Sequence, residues 1–117
     1  MKHILVYMTA ANRAEARRIG AALVEKRLVA CVNLGGPIES LYWWKGKLER
    51  GRETALIAKT RAALLPALTT EVRRLHSYEN PCVVAFELVG GSAPFLKWIT
   101  AETAPVSSRA ARRARRP

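Results

Sequence analysis

The stretch Ile38-Glu39-Ser40-Leu41-Tyr42-Trp43-Trp44-Lys45-Gly46-Lys47-Leu48-Glu49 decides the fold. Lys45-Gly46-Lys47 reads as a hairpin turn joining two extended runs. Side chains alternate across a strand, so Ile38, Ser40, Tyr42 and Trp44 share one face, while Glu39, Leu41, Trp43 and Lys45 share the other. Both faces carry large apolar groups. A ribbon covered on one side only should alternate cleanly between apolar and polar. This one therefore needs a second burial partner, and another copy of the chain is the natural candidate.

Working outward, the return strand runs over about Leu48 to Thr60, with Arg50-Gly51-Arg52 expected as a polar kink or bulge. Upstream, Gly35-Gly36-Pro37 is expected to break the extended run and leave Leu28 to Leu34 as its own strand. Before that, Asn12 reads as a helix N-cap with Glu15 completing a capping box. Ala16, Ile19, Gly20 and Leu23 recur at helical spacing, which predicts a helix from Arg13 to Arg27. His3 to Thr9 is an apolar strand. Downstream, Leu65, Leu68, Val72 and Leu75 mark a second helix, with Pro66 in its first turn. His76 to Pro81 reads as a loop, Cys82 to Val89 as a strand, and Ser92 as the cap of a last helix with Phe95, Trp98 and Ile99 on its apolar side.

The order is βαββαβ plus a C-terminal helix. That is the α+β, ferredoxin-like pattern, an antiparallel sheet with both main helices on one face. An uncovered sheet face and long edge strands predict assembly. Residues 1–105 read as one domain, and 106–117 as a disordered basic tail.

Composition narrows the function. The chain has 117 residues and nine acids. Every one of those acids is Glu, which excludes an EF-hand, an aspartyl dyad and a Ser-His-Asp triad. With two His and two Cys, a self-contained four-ligand zinc site would need all of them together. No phosphate-loop motif occurs. No apolar run approaches the roughly 18 residues of a membrane span. The N-terminus has no signal-peptide pattern, and two distant cysteines make no disulfide framework, so the expected compartment is the cytoplasm. The net charge of +11 is concentrated at the C-terminus, where Arg109, Arg112, Arg113, Arg115 and Arg116 crowd together. A solvated surface with a flexible tail accounts for it, and nucleic-acid association through the tail is the alternative.

Ser40 to Glu49 resembles the hairpin signature of the CutA family, the divalent-cation tolerance proteins. Glu25-Lys26-Arg27-Leu28-Val29-Ala30-Cys31-Val32-Asn33 resembles that family's passage from first helix to second strand. Glu53 to Thr60, ending Lys59-Thr60, is similar to the strand after the hairpin. His76-Ser77-Tyr78-Glu79-Asn80-Pro81 is similar to its His-Pro-Tyr loop, and Phe95-Leu96-Lys97-Trp98-Ile99 to its last helix. The likeness spans about residues 2 to 104. Ser77 departs from the usual proline, and Cys82 from the usual acidic residue. The resemblance implies a ferredoxin-like homotrimer, similar in architecture to the PII signalling proteins, with a role in metal tolerance, copper binding and no established catalysis.

On that basis Cys31 and His76 are the candidate metal ligands. A thiolate suits copper or another soft metal, although Cys31 as a small buried hydrophobe is the competing reading. His76, ending a helix, is equally suited to bonding free carbonyls there. Lys59, Glu53 and Tyr78 are candidate ligand-binding residues of an intersubunit cleft. Lys59, His76 and Tyr78 would let a PII-like sensor hold a small anionic metabolite there. Tyr42, Trp43 and Trp44 are read as trimer interface. Cys82, alternating with Val84, Phe86 and Leu88, is read as core.

Overall fold

The computed structural model describes residues 2–105. The expected disordered tail lies outside the described residues. The elements are β1 (His3–Ala10), α1 (Arg13–Glu25), β2 (Cys31–Trp44), β3 (Lys47–Arg61), a 3-10 turn (Ala62–Leu64), α2 (Leu65–Leu75), β4 (Val83–Glu87) and α3 (Ala93–Glu102). The four strands pair antiparallel in the order β2-β3-β1-β4. This is the ferredoxin-like α+β arrangement that the sequence predicts.

The core sits between one sheet face and the two main helices. Ile4, Val6 and Met8 of β1 and Leu56 and Ala58 of β3 meet Ala16, Ile19 and Leu23 of α1 and Leu68 and Val72 of α2. The strand period of two and the helix period near 3.6 thus converge on a single apolar layer. α1 starts as expected: the Glu15 amide donates to Asn12 Oδ1 at 2.8 Å. It stops two residues short of the predicted Arg27. Arg27 takes φ 62°, the left-handed conformation that ends helices, and the Leu28 amide reaches back to the Leu23 carbonyl.

Two strand expectations need correction. Gly35-Gly36-Pro37 does not break the chain. Leu34 pairs with Leu56 and Pro37 with Thr54, so the glycines form a bulge inside one long strand. That strand begins at Cys31 rather than Leu28, because Leu28 and Val29 are buried in the connection from α1. Arg50-Gly51-Arg52, in turn, is not a bulge: Glu39, Ser40 and Leu41 pair with Arg52, Gly51 and Arg50 without interruption. A Cβ at Gly51 would lie 3.6 Å from the Tyr42 hydroxyl, an ordinary van der Waals contact. The bulge has a consequence for chemistry. It switches which parity of β2 faces away from the helices, from Cys31 and Asn33 below it to Ile38, Ser40, Tyr42 and Trp44 above it.

The sheet face away from the helices is left open. Phe86, Leu5, Lys59 and Cys31 form one row across it, and Val84, Tyr7, Ile57 and Asn33 the next. β4 runs only from Val83 to Glu87, shorter than expected, with Val84 and Phe86 exposed. Cys82, just before it, is half-buried rather than core, because none of the described residues covers that face. α3 crosses the end of the sheet, where His3 Nε2 lies 2.8 Å from Thr100 Oγ1 and Arg61 Nε donates to Thr103 Oγ1 at 2.9 Å. The Arg61 guanidinium also donates to the Ala104 carbonyl. Ser92 precedes α3 without a side-chain cap bond. Ile99 alone of the expected apolar side is buried, with Phe95 and Trp98 partly exposed.

Candidate functional site

Polar side chains collect where β1 ends, α1 begins and the loop after α2 returns. The His76 side chain is 1% exposed. Its Nε2 lies 2.7 Å from the Thr9 carbonyl, and the Tyr78 amide lies 3.0 Å from Nδ1. A carbonyl can only accept and an amide N–H can only donate. The imidazole is therefore neutral, with its proton on Nε2 and its lone pair on Nδ1 engaged by Tyr78. The Tyr78 ring packs on it at 4.6 Å between centroids.

Glu15 underlies the histidine. Its Oε1 accepts from the Ala11 amide at 2.8 Å and its Oε2 from the Ser77 amide at 2.7 Å, with His76 Nδ1 4.0 Å away. Burial pushes this carboxyl up, but the hydrogen bonds from Ala11 and Ser77 outweigh it and hold it below the usual range. A capping glutamate thus also pins the loop that carries His76.

Tyr78 links this cluster to the ribbon. Its hydroxyl donates to Glu53 Oε2 at 2.9 Å, and Ser40 Oγ donates to Oε1 at 2.6 Å. Burial and the Glu53 carboxylate raise the phenol well above its ordinary value. Burial, then Glu53, also raises the Cys82 thiol, which makes it a poorer thiolate ligand.

Three of the expected site residues therefore meet: His76, Tyr78 and Glu53. Lys59 and Cys31 lie elsewhere, opposite one another on β3 and β2, where Lys59 Nζ donates to Asn33 Oδ1. The row of Cys31 and Lys59 crosses β1 at Leu5, four residues before Thr9, so Cys31 is roughly 13 Å from His76 along the strands alone. His76 could hold a metal only by releasing one of its two bonds. Among the described residues, no three His, Cys, Asp or Glu side chains gather as a metal-holding group. The donor set that the described residues of one copy offer does not fit a metal. An anion site using Lys59 together with His76 and Tyr78 likewise cannot form within one chain. Tyr42, Trp43 and Trp44 sit on the ribbon, with Trp43 73% exposed and the Lys45 ammonium 5.6 Å above the Trp44 ring.

Sequence reasoning gave Glu15 a capping role only, and gave Ser40 none. Both left a signal. Glu15 lies in the stripe Glu15-Ile19-Leu23, which is otherwise apolar, and Ser40 is the one polar position among Ile38, Tyr42 and Trp44.

The profile of the CutA1 divalent ion tolerance protein family matches residues 4–102. The chain belongs to this family. It is 44% identical over 97 residues to the Divalent-cation tolerance protein CutA of Archaeoglobus fulgidus, covering 83% of this chain and 94% of that protein. It is 45% identical over 101 residues to the human Protein CutA, covering 86% of this chain but 56% of that one. The rice Protein CutA 1, chloroplastic, gives 41% over 100 residues, again with 86% and 56% covered. The chain thus spans little more than half the length of the human and rice CutA proteins and nearly all of the archaeal one. Among solved structures, rice CutA1 superposes with a TM-score of 0.86 at 39% identity, covering 89% of this chain and 95% of that chain. The Archaeoglobus fulgidus protein, described as a periplasmic divalent cation tolerance protein, superposes with a TM-score of 0.83 at 43% identity, covering 86% and 97%. Divalent-cation tolerance is the role the family's name carries.

Proposed function

We propose that this chain acts in metal-ion tolerance as a non-enzymatic homotrimer. In this reading it binds copper, or another soft or divalent metal, through Cys31 contributed by more than one copy. The observation that carries the reading is the open sheet face. Cys31 lies on it in one row with Lys59, Leu5 and Phe86. An apolar face of this kind needs a cover, and symmetric self-association supplies one while bringing several thiols toward each other. His76 then serves mainly to hold its loop, because both ring nitrogens are already bonded. The reducing cytoplasm is the proposed compartment, consistent with two free cysteines.

The test is a competition titration of the reduced protein with Cu(I), with metal per chain and oligomeric state read by native mass spectrometry. Cys31→Ser and Cys82→Ser variants run beside it. The expected result is a trimer with a fixed copper stoichiometry that Cys31→Ser abolishes and Cys82→Ser preserves. Weak, non-stoichiometric copper on an intact trimer would sink the metal reading.

A further inference from the structure

The outer surface of the two main helices is basic, and its acids are turned inward. Arg13, Arg17, Arg18, Lys26 and Arg27 are exposed on α1 and the turn after it, and Arg73 and Arg74 on α2. Of the helical carboxylates, Glu15 and Glu71 are buried. Glu71 is held by Lys26 and Arg74, each at 2.7 Å, and Glu102 of α3 by Arg27 at 2.7 Å. Glu25 is the one exposed carboxylate on these two helices. Arg13, Arg17 and Arg73 have no carboxylate partner among the described residues.

The patch is continuous. Arg18 donates to the Leu75 carbonyl and Lys26 pairs with Glu71, so the two helices lie side by side with their basic groups adjacent. The Ala104 amide donates to the Arg27 carbonyl at 2.7 Å, which places the departing chain at the end of α1. The sequence that follows carries Arg109, Arg112, Arg113, Arg115 and Arg116 and no acid.

We infer that this helical face binds the phosphate backbone of duplex nucleic acid, without sequence preference. Unpaired arginines match rows of phosphates and release their counterions. A membrane surface fits less well, because an interfacial helix inserts an apolar face and the apolar faces of α1 and α2 are spent in the core, with Val24 the one large hydrophobic exposed there. A single strand fits less well too, because the exposed aromatics Tyr42, Trp43, Trp44, Phe86, Phe95 and Trp98 all lie on the ribbon, β4 or α3, and none on this face for bases to stack on.

The experiment is fluorescence anisotropy of a labelled mixed-sequence DNA duplex titrated with the full chain across a salt series. It is repeated with Arg17→Glu/Arg73→Glu, with the charge-neutral Arg17→Gln/Arg73→Gln, and with a chain ending at residue 105. The expected result is salt-dependent binding whose log–log slope becomes shallower by roughly 2 on removing the two helical arginines, at about 0.9 per phosphate contact. The truncated chain should bind more weakly, yet still lose affinity when Arg17 and Arg73 are replaced. Absence of binding at low salt would overturn the inference. So would unchanged slopes in both helical variants, or a truncated chain with no salt-dependent binding, since either would leave the face idle. Anionic phospholipid vesicles bound through Arg17 and Arg73, with no binding of the duplex, would reassign the surface to membranes and defeat the proposal.

Discussion

The Tyr78 hydroxyl donates to Glu53 Oε2 at 2.9 Å, and this one bond joins the loop after α2 to the root of the β2–β3 ribbon. The Tyr78 amide meanwhile holds His76 Nδ1. Tyr78 therefore couples a buried histidine, fixed to β1, to a ribbon whose far end is exposed. Glu53 accepts from both Tyr78 and Ser40, one hydroxyl on each carboxylate oxygen.

Replacing Tyr78 by Phe tests this link. The ring and its packing on His76 are kept, and only the hydroxyl is lost. A hydrogen bond to a charged group contributes about 1.5–3 kcal/mol, so Tyr78→Phe should destabilise the protein within that range. Urea unfolding at fixed protein concentration measures it. Ser40→Ala should cost a comparable amount, and the double variant should cost less than the sum, since both hydroxyls serve one carboxylate.

Much of the fold was legible because its causes are local. The capping pair Asn12 and Glu15, the stripe Ile19-Leu23 and the turn at Lys45-Gly46 act through near neighbours. What was misread depends on partners distant in sequence. Whether Gly35-Gly36 breaks a strand or bulges it is set by β3, which continues to pair on both sides. Whether Cys82 is core depends on what covers the open face, and the described residues do not supply it. The site followed the same division. The structure brings the named residues His76, Tyr78 and Glu53 together, but the pairing that keeps Cys31 and Lys59 away from them is visible only in the register.

Acid should weaken the fold through two helix carboxylates. Hydrogen bonds from Arg74 and Lys26 hold Glu71 at about 2, and Glu15 is also depressed. Each has a folded-state pKa below its unfolded value. The stability they add is present above the unfolded carboxylate range and is lost as pH falls through the folded values, for Glu71 from about 4.5 to about 2. Lys26 and Arg74 are more than half exposed, so Glu71→Gln should cost only about 1 kcal/mol at neutral pH. The check is a set of urea midpoints from pH 6 to pH 2: Glu71→Gln should flatten the acid limb, and an unchanged limb would refute the assignment.

The hairpin turn offers a gain in stability. Lys45 and Gly46 both have positive φ, at 50° and 82°, which is the two-residue turn that favours Asn-Gly. Lysine is strained there, and its pairing with Glu79 at 3.9 Å is exposed and weak. Lys45→Asn should raise stability by roughly 0.5–1 kcal/mol, while Gly46→Ala should lower it by about 1 kcal/mol. Thermal unfolding of the two variants at one concentration gives both signs.

The last prediction concerns assembly. Leu41, Trp43, Leu48 and Phe86 are 67%, 73%, 66% and 58% exposed in the single chain. Phe86 lies opposite Leu5, on the edge strand of the open face, and no charged residue of its own strand shares that side. If copies of the chain cover this face, a carboxylate at position 86 would be buried without a partner, at a cost of several kcal/mol per site. Phe86→Glu should therefore sediment as a monomer at concentrations where the unaltered chain forms the proposed trimer, with its circular dichroism preserved. Arg73→Glu, a charge reversal on the opposite, helical face, should leave the trimer intact. If Phe86→Glu stays trimeric, the open face is not the interface, and the argument that brings Cys31 from several copies together loses its footing. If both variants dissociate, charge balance rather than the apolar face holds the subunits together. The expected split between the two faces assigns assembly to the sheet and leaves the helices free.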